Sequence, residues 1–232
     1  MTMHLLLNEN TRGTDWVVGD IHGEYDKLMN KLDSVGFNYD CDRLICTGDL
    51  ADRGPKSKEV TDLLDEGWFF SVAGNHEIMC VDAYKHTWAS HDFIQNGGIW
   101  FCSLLPQEQD WIVTKFMGLP LTITLNVKGN KYLFVHACVP RHDADHLKSA
   151  KDFSDPIAMN AVWNRIFIPD ATYTNWVSYT SPVDGYTKVF VGHTPVDKVP
   201  VMSDNYVNMD TGVVFYPDRE FVFFNTKTGE FI

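Results

Sequence analysis

Apolar runs along this chain are short and are cut by glycine, with helical periods between them. Trp16-Val17-Val18 stops at Gly19, which predicts a strand, and Leu28, Leu32 and Val35 then share one helical face from Tyr25 until Gly36 ends it. Arg43 to Thr47 predicts a second strand, Ser57 opens a helix carrying Val60, Leu63 and Leu64 that stops at Gly67, and Trp68 to Val72 predicts a third strand. Each strand therefore ends in a loop that leads to a helix. In open α/β sheets such loops, at the carboxyl ends of strands, gather the ligands.

Beyond Ile78 the pattern is helical but irregular as far as Met117, broken at Asn96-Gly97-Gly98. Its aromatic residues, Trp88, Phe93, Trp100, Phe101 and Trp111, read as core packing of a helical layer. Leu121 to Val127 and Lys131 to Val135 predict a hairpin around Gly129-Asn130, and His136 follows its second strand directly. Arg141 to Pro156 is polar and aperiodic, which predicts a surface loop bordering the site. Further strands are expected at Lys188 to Val191, Val199 to Met202, Tyr206 to Met209 and Val213 to Tyr216. A closing hairpin is expected from Glu220 to Asn225 and Glu230 to Ile232.

Composition narrows the class. A chain of 232 residues with 44% hydrophobic and 22% charged positions suits one domain, 1–232, whose core folds without disulfide staples. A net charge of −12 argues against a broad nucleic-acid surface, which needs a dense field of lysine and arginine. Five scattered cysteines without a CxxC pair point to neither a disulfide framework nor a zinc ribbon, and no apolar run reaches membrane-spanning or signal-peptide length. A cytosolic enzyme is expected.

The candidate chemistry lies in four glycine-flanked segments: Gly19-Asp20-Ile21-His22-Gly23, Gly48-Asp49-Leu50-Ala51-Asp52-Arg53-Gly54, Gly74-Asn75-His76-Glu77 and Gly192-His193-Thr194. Taken singly, Asp20 or Asp49 would pass for a loop residue and His136 or His193 for a core histidine. Together they place six ligand-type side chains at successive strand ends. Two divalent ions need a shared bridging group to sit ~3.5–4 Å apart, and Asp49 is the candidate bridge. Asp20 and His22, on the same side of an extended segment, would hold the first ion with Asp49, and Asn75, His136 and His193 would complete the second. The absence of thiolates from this set suits Mn²⁺, Fe or catalytic Zn²⁺ better than a structural zinc. His142 and His146, four residues apart, read as solvated loop residues.

Over most of its length the chain resembles the phosphoprotein phosphatase branch of the metallophosphoesterases. The resemblance runs through Trp16 to Asp20, Leu28 to Asp33, Asp52-Arg53-Gly54, Gly74 to Glu77, Asn96-Gly97-Gly98, Trp163-Asn164-Arg165, Gly192 to Pro195 and Asp210-Thr211-Gly212. It implies an α/β fold in which two mixed β-sheets form a sandwich flanked by helices. It also implies two divalent metal ions, usually Mn²⁺, and phosphoserine, phosphothreonine and often phosphotyrosine in proteins as substrates. Carried over residue by residue, it makes Asp20, His22, Asp49, Asn75, His136 and His193 metal ligands. His76 becomes the general acid, Asp52 its orienting partner, and Arg53 and Arg165 the phosphate-binding residues.

Hydrolysis would then be direct, by a water bridging the two ions, with His76 protonating the leaving oxygen and Glu77 orienting its loop. Two departures stand out. Ala73 takes the place of a common arginine, which implies weaker phosphate binding, and Ala137-Cys138-Val139 follows His136 where many relatives have Ala-Gly. A dinucleoside polyphosphate hydrolase remains an alternative, although such enzymes typically carry alanine where this chain has Asp52. A catalytically silent, metal-stabilised module is a second alternative, against which the retention of His76, Asp52 and both arginines counts.

Overall fold

The computed structural model describes residues 3–86, 90–169, 176–178, 180–198 and 200–232. Its strands are β1 (His4–Leu7), β2 (Asp15–Val18), β3 (Arg43–Cys46), β4 (Phe69–Ser71), β5 (Thr122–Val127), β6 (Asn130–Val135), β7 (Phe167–Pro169), β8 (Trp176–Ser178), β9 (Lys188–Val191), β10 (Val201–Ser203), β11 (Tyr206–Asn208), β12 (Phe224–Asn225) and β13 (Glu230–Phe231). One mixed sheet runs β1-β5-β6-β9-β11-β10, a second runs β13-β12-β2-β3-β4, and β7 pairs with β8 apart from both. The helices are α1 (Tyr25–Ser34), α2 (Ser57–Asp62), α3 (Asn75–Lys85), α4 (Ser90–Phe93), α5 (Ile99–Cys102), α6 (Pro106–Gly118), α7 (Ala144–Ser149) and α8 (Pro156–Trp163).

Strand alternation sorts the side chains into layers. On β2, β3, β6 and β9 the residues Val17, Ile45, Phe134 and Phe190 pack between the two sheets, and Phe134 stacks on Phe190 with ring centroids 5.2 Å apart. Their neighbours turn outward. Trp16, Val18, Leu44 and Cys46 meet Leu28 and Leu32 of α1 with Ile112 and Phe116 of α6, while Leu133, Val135, Val189 and Val191 meet Leu147, Ala158 and Val162 of α7 and α8. Both faces of each strand are covered, which is why these strands read as unbroken apolar runs.

Topology places the site. β2, β3 and β4 are mutually parallel in one sheet, and β6, β9 and β11 are mutually parallel in the other. Asp20, Asp49, Asn75, His136, His193 and Asp210 all follow the carboxyl ends of these strands.

Several expectations need correction. Residues 141–156 are not simply a loop: a 3₁₀ turn at Pro140–His142 is followed by α7, whose Leu147 packs inward while His142 and His146 stay exposed. Residues 213–216 form a turn instead of a strand, because Gly212 enters it at φ 66° and Phe215 N–H donates to Gly212 O. Strand pairing in the closing hairpin is confined to Phe224–Asn225 and Glu230–Phe231, and β1, β7 and β8 were not expected. Trp88 and Val199 lie outside the described residues.

Candidate metal centre

Backbone geometry sets this site before any side chain does. Nine described non-glycine residues have positive φ, and five of them are His22, Asp49, Asp52, Arg53 and His193. Such conformations cost of order 1–3 kcal/mol each and persist only where neighbouring structure over-determines them. Here the loops lock each other. Ile21 and His22 N–H both donate to Asp49 O at 3.0 and 2.9 Å, Gly23 N–H donates to Leu50 O at 2.9 Å, and Gly54 N–H donates to His22 O at 3.0 Å.

Glu77 ties the second motif to the third. Its Oε2 accepts from Asp49 N–H at 2.9 Å and Gly74 N–H at 2.8 Å, and its Oε1 accepts from Leu50 N–H at 2.8 Å. The same side chain thereby closes the first turn of α3 and fixes the loop that carries Asp49. Burial pushes its carboxyl up to about 7, and Asp49 adds to the rise.

Hydrogen bonds to backbone carbonyls fix the imidazole tautomers, because a carbonyl can only accept. His22 donates Nδ1–H to Ala51 O at 2.9 Å, His136 donates Nδ1–H to Thr47 O at 2.8 Å, and His193 donates Nε2–H to Trp163 O at 3.1 Å. The other nitrogen of each ring turns inward. Asn75 Oδ1 lies 2.9 Å from His136 Nε2 and 2.8 Å from His193 Nδ1, and Asp49 Oδ1 is 3.4 Å from His136 Nε2. On the other side Asp49 Oδ2 is 3.6 Å from His22 Nε2 and 3.9 Å from His76 Nε2. Among the described residues, ligand-type atoms thus gather in two trios that share Asp49: His22-Asp49-His76, where His76 stands in the place expected of Asp20, and Asp49-His136-His193.

Burial drives His22 and His193 down to about 3, so both are neutral donors at physiological pH. Burial would also keep His136 neutral, but Asp49 against it lifts it to about 10. The proton held there is one a divalent cation would displace. Burial favours a neutral Asp49, yet His136, His76 and His22 outweigh it and hold the carboxyl well below the ordinary range. The oxygen and nitrogen donors gathered around Asp49 fit divalent cations.

Asp20 stands in neither trio. Its Oδ2 accepts from His193 N–H at 2.9 Å and its Oδ1 from Thr47 Oγ1 at 3.2 Å, while burial and the nearby Asp210 push the carboxyl well above its usual value. A Cβ on Gly192 would fall on Asp20 Oδ1, and one on Gly74 would fall on Asp49 Oδ1. Glycine at 74 and 192 is the condition for both carboxylates to sit where they do.

The second nitrogen of His76 and the remaining candidates lie around these donors. His76 Nδ1 and Asp52 Oδ2 are 2.6 Å apart in a fully buried pair, and Trp100 Nε1–H donates to Asp52 Oδ1 at 2.6 Å. Arg53 is exposed and donates from its guanidinium to His22 Nε2, and Arg165 reaches His193 O and Thr194 Oγ1 at 3.4 Å.

A family model, the calcineurin-like phosphoesterases, matches residues 16–221. The chain belongs to that family. It is 33% identical over 201 residues to serine/threonine-protein phosphatase 2 of Salmonella typhimurium, covering 85% of this chain and 86% of the relative. It is also 28% identical over 233 residues to an asymmetrical bis(5'-nucleosyl)-tetraphosphatase of Halalkalibacterium halodurans, covering 89% and 91%. A solved structure named as a presumed diadenosine tetraphosphatase superposes with a TM-score of 0.67 at 21% identity, over 100% of this chain and 97% of that one, and shares the fold. This metallophosphoesterase thus has the two mixed sheets and helical flanks expected of it. Among its described residues no helix is long and apolar enough to cross a membrane.

Sequence reasoning missed three neighbours of the site. Trp100 reads as core from its spacing, yet its indole N–H is spent on Asp52. Asp210, buried at 3% exposure, accepts from Gly212 N–H at 2.9 Å, and burial raises its carboxyl to about 6. Phe215 is 48% exposed and carries the Arg53 guanidinium 5.1 Å from its ring centroid. Only the Asp-Thr-Gly motif at 210–212 signalled any of them. Of the two departures, Ala73 is buried at 1% exposure with its N–H on Pro120 O at 2.9 Å. The Ala137-Cys138 turn is held by Ala161 O, which accepts both N–H groups at 2.9 and 3.2 Å. Burial lifts the Cys138 thiol to about 12, so it is chemically quiet there.

Proposed function

We propose that this metallophosphoesterase is a Mn²⁺-dependent protein phosphatase that hydrolyses phosphoserine and phosphothreonine monoesters, and phosphotyrosine as well, in phosphoprotein partners. The observation that carries the reading is the buried His76–Asp52 pair, 2.6 Å apart, whose imidazole turns its other nitrogen towards Asp49, the residue common to both trios. Asp20, His22, Asp49, Asn75, His136 and His193 would hold the ions, with Zn²⁺ and Fe as alternatives to Mn²⁺.

When bound, the ions supply Lewis acidity and a water acidic enough to serve as nucleophile near neutral pH. The chain's own contribution is charge, orientation and a proton. Arg53 and Arg165 would hold phosphoryl oxygens through forked donors, which orient the group as well as neutralise it. Burial pushes Asp52 up to about 7 and His76 down to about 4. A pair holding two protons can place the shared one on either side of the Nδ1–Oδ2 contact, and in both cases Nε2 carries the other. Nε2–H is the proton His76 would deliver to the leaving alkoxide, an oxygen too basic to depart unprotonated. Trp100 keeps Asp52 turned towards His76 throughout.

The Salmonella relative's name supports the protein-phosphatase reading, and the tetraphosphatase of H. halodurans supports a dinucleoside polyphosphate hydrolase as the second. A direct test strips the protein with chelator, restores Mn²⁺, Zn²⁺, Fe²⁺ or Mg²⁺ separately, and compares a phosphoserine peptide, p-nitrophenyl phosphate and Ap4A. The proposal expects Mn²⁺ to restore hydrolysis of both monoesters, with the phosphopeptide preferred to Ap4A. Preference for Ap4A would move the assignment to the second reading.

A further inference from the structure

We propose that Phe215 is a positioning residue that holds Arg53 in its phosphate-binding orientation. The inference rests on the reading of Arg53 given above and adds a residue to it. Arg53 is an exposed side chain on a left-handed backbone (φ 71°), and a long exposed side chain gives up rotamer entropy when it is fixed. Something must fix it for the site to be preset.

Three contacts do so, the hydrogen bond to His22 Nε2 and one each from Gly97 and Phe215. Gly97, at φ 103°, lies so close to Arg53 that an added Cβ would be 2.5 Å from its N and 3.0 Å from its Cα and Cγ, which gives the Asn96-Gly97-Gly98 motif its function as a backbone clamp. The Phe215 ring faces the guanidinium at 5.1 Å and meets the His22 ring edge-to-face at 6.4 Å. A guanidinium over an aromatic face is attracted by the ring quadrupole, and the in-plane N–H groups not spent on His22 Nε2 are left to bind oxygen.

The turn that presents Phe215 is itself braced. Arg219 NH1 donates to Thr211 O at 2.8 Å and Val196 O at 2.9 Å, its guanidinium lies 3.7 Å from the Tyr216 ring centroid, and Lys27 Nζ donates to Val213 O at 3.2 Å. A ring this exposed contributes little to the core, so its placement over Arg53 calls for a reason other than burial.

The test measures orthophosphate binding to Mn²⁺-loaded protein by calorimetry, which reports on the phosphate cradle whichever ester is the substrate. Phe215→Leu removes the π face and keeps bulk; it is expected to weaken phosphate binding roughly three- to tenfold, with the same rise in KM for p-nitrophenyl phosphate and less than a twofold change in kcat. Phe215→Tyr should restore native affinity, and Phe215→Met should repeat the leucine result should that variant fold poorly. In an Arg53→Ala background, Phe215→Leu should have no further effect. Native phosphate affinity in Phe215→Leu beside weakened binding in Arg53→Ala would overturn the role of Phe215 alone. Native affinity in Arg53→Ala would overturn the phosphate-binding reading of Arg53, and the inference with it.

Discussion

The two arginine-bearing sides of the site are built to different degrees of rigidity. On the side of Asp52, Arg53 and His76, every group has a partner that fixes its direction: Trp100 and His76 on Asp52, Gly97 and Phe215 about Arg53, and Glu77 beneath the Asp49 loop. On the other side, Arg165 touches His193 O and Thr194 Oγ1 at 3.4 Å, from a segment whose neighbours Trp163 and Asn164 are exposed. The lesson is energetic. Fixed donors need no reorganisation during reaction, so the proton donor and its adjacent arginine belong on the preset side, and an adjustable arginine can follow substrates of different shape.

That contrast can be broken by mutation. The largest effect is expected from His76→Asn, which should lower kcat on a phosphoserine peptide by about 10²–10⁴ while metal content stays near normal, because the six proposed ligands are untouched. The loss should be much smaller on p-nitrophenyl phosphate, whose leaving group departs without a proton, and equal losses on both esters would refute the general-acid role. Next come the arginines. Arg53→Ala should cost about 10²-fold in kcat/KM, as for other preorganised donors, and Arg165→Ala nearer tenfold. Equal costs, measured side by side, would erase the distinction drawn between the two sides.

Glu77→Gln probes what lies beneath the rigid side. An amide presents N–H to backbone N–H where the carboxylate accepted three of them, a mismatch worth about 1–3 kcal/mol and therefore a fall of several degrees in Tm. An unchanged melting temperature would mean that Glu77 does not brace the loop. Trp100→Phe keeps the ring and deletes the donor to Asp52, and roughly a tenfold loss in kcat with little change in KM is expected on the phosphoserine peptide. A rise in KM alone would place Trp100 with substrate binding instead.

The rigid side was also the more legible one. Asp20, His22, Asp49, Asp52, Arg53 and His76 occur in compact glycine-flanked segments because each strand must turn sharply to bring its donors to the sheet edge, and glycine marks those turns. His136 and His193 were found from strand ends alone, since the pairing of β6 with β9 that brings their loops together spans more than fifty residues. Short elements left too weak a period to read: α7 is a six-residue helix, β1 a four-residue edge strand, and the turn at 213–216 is made of residues with strand propensity. Trp100 and Phe215 could not be assigned because aromatic residues at helical or strand spacing predict burial, and what matters here is an indole N–H and a ring face.

The central claim is that Asp49 joins two cation sites, and titration of the metal-stripped protein with Mn²⁺ tests it most directly. Two equivalents should bind to the native chain, with the hydrolysis of p-nitrophenyl phosphate rising as the second site fills, and Asp49→Asn should lose both the stoichiometry and the activity. Binding of two equivalents by Asp49→Asn, or undiminished hydrolysis by the metal-free native protein, would contradict it.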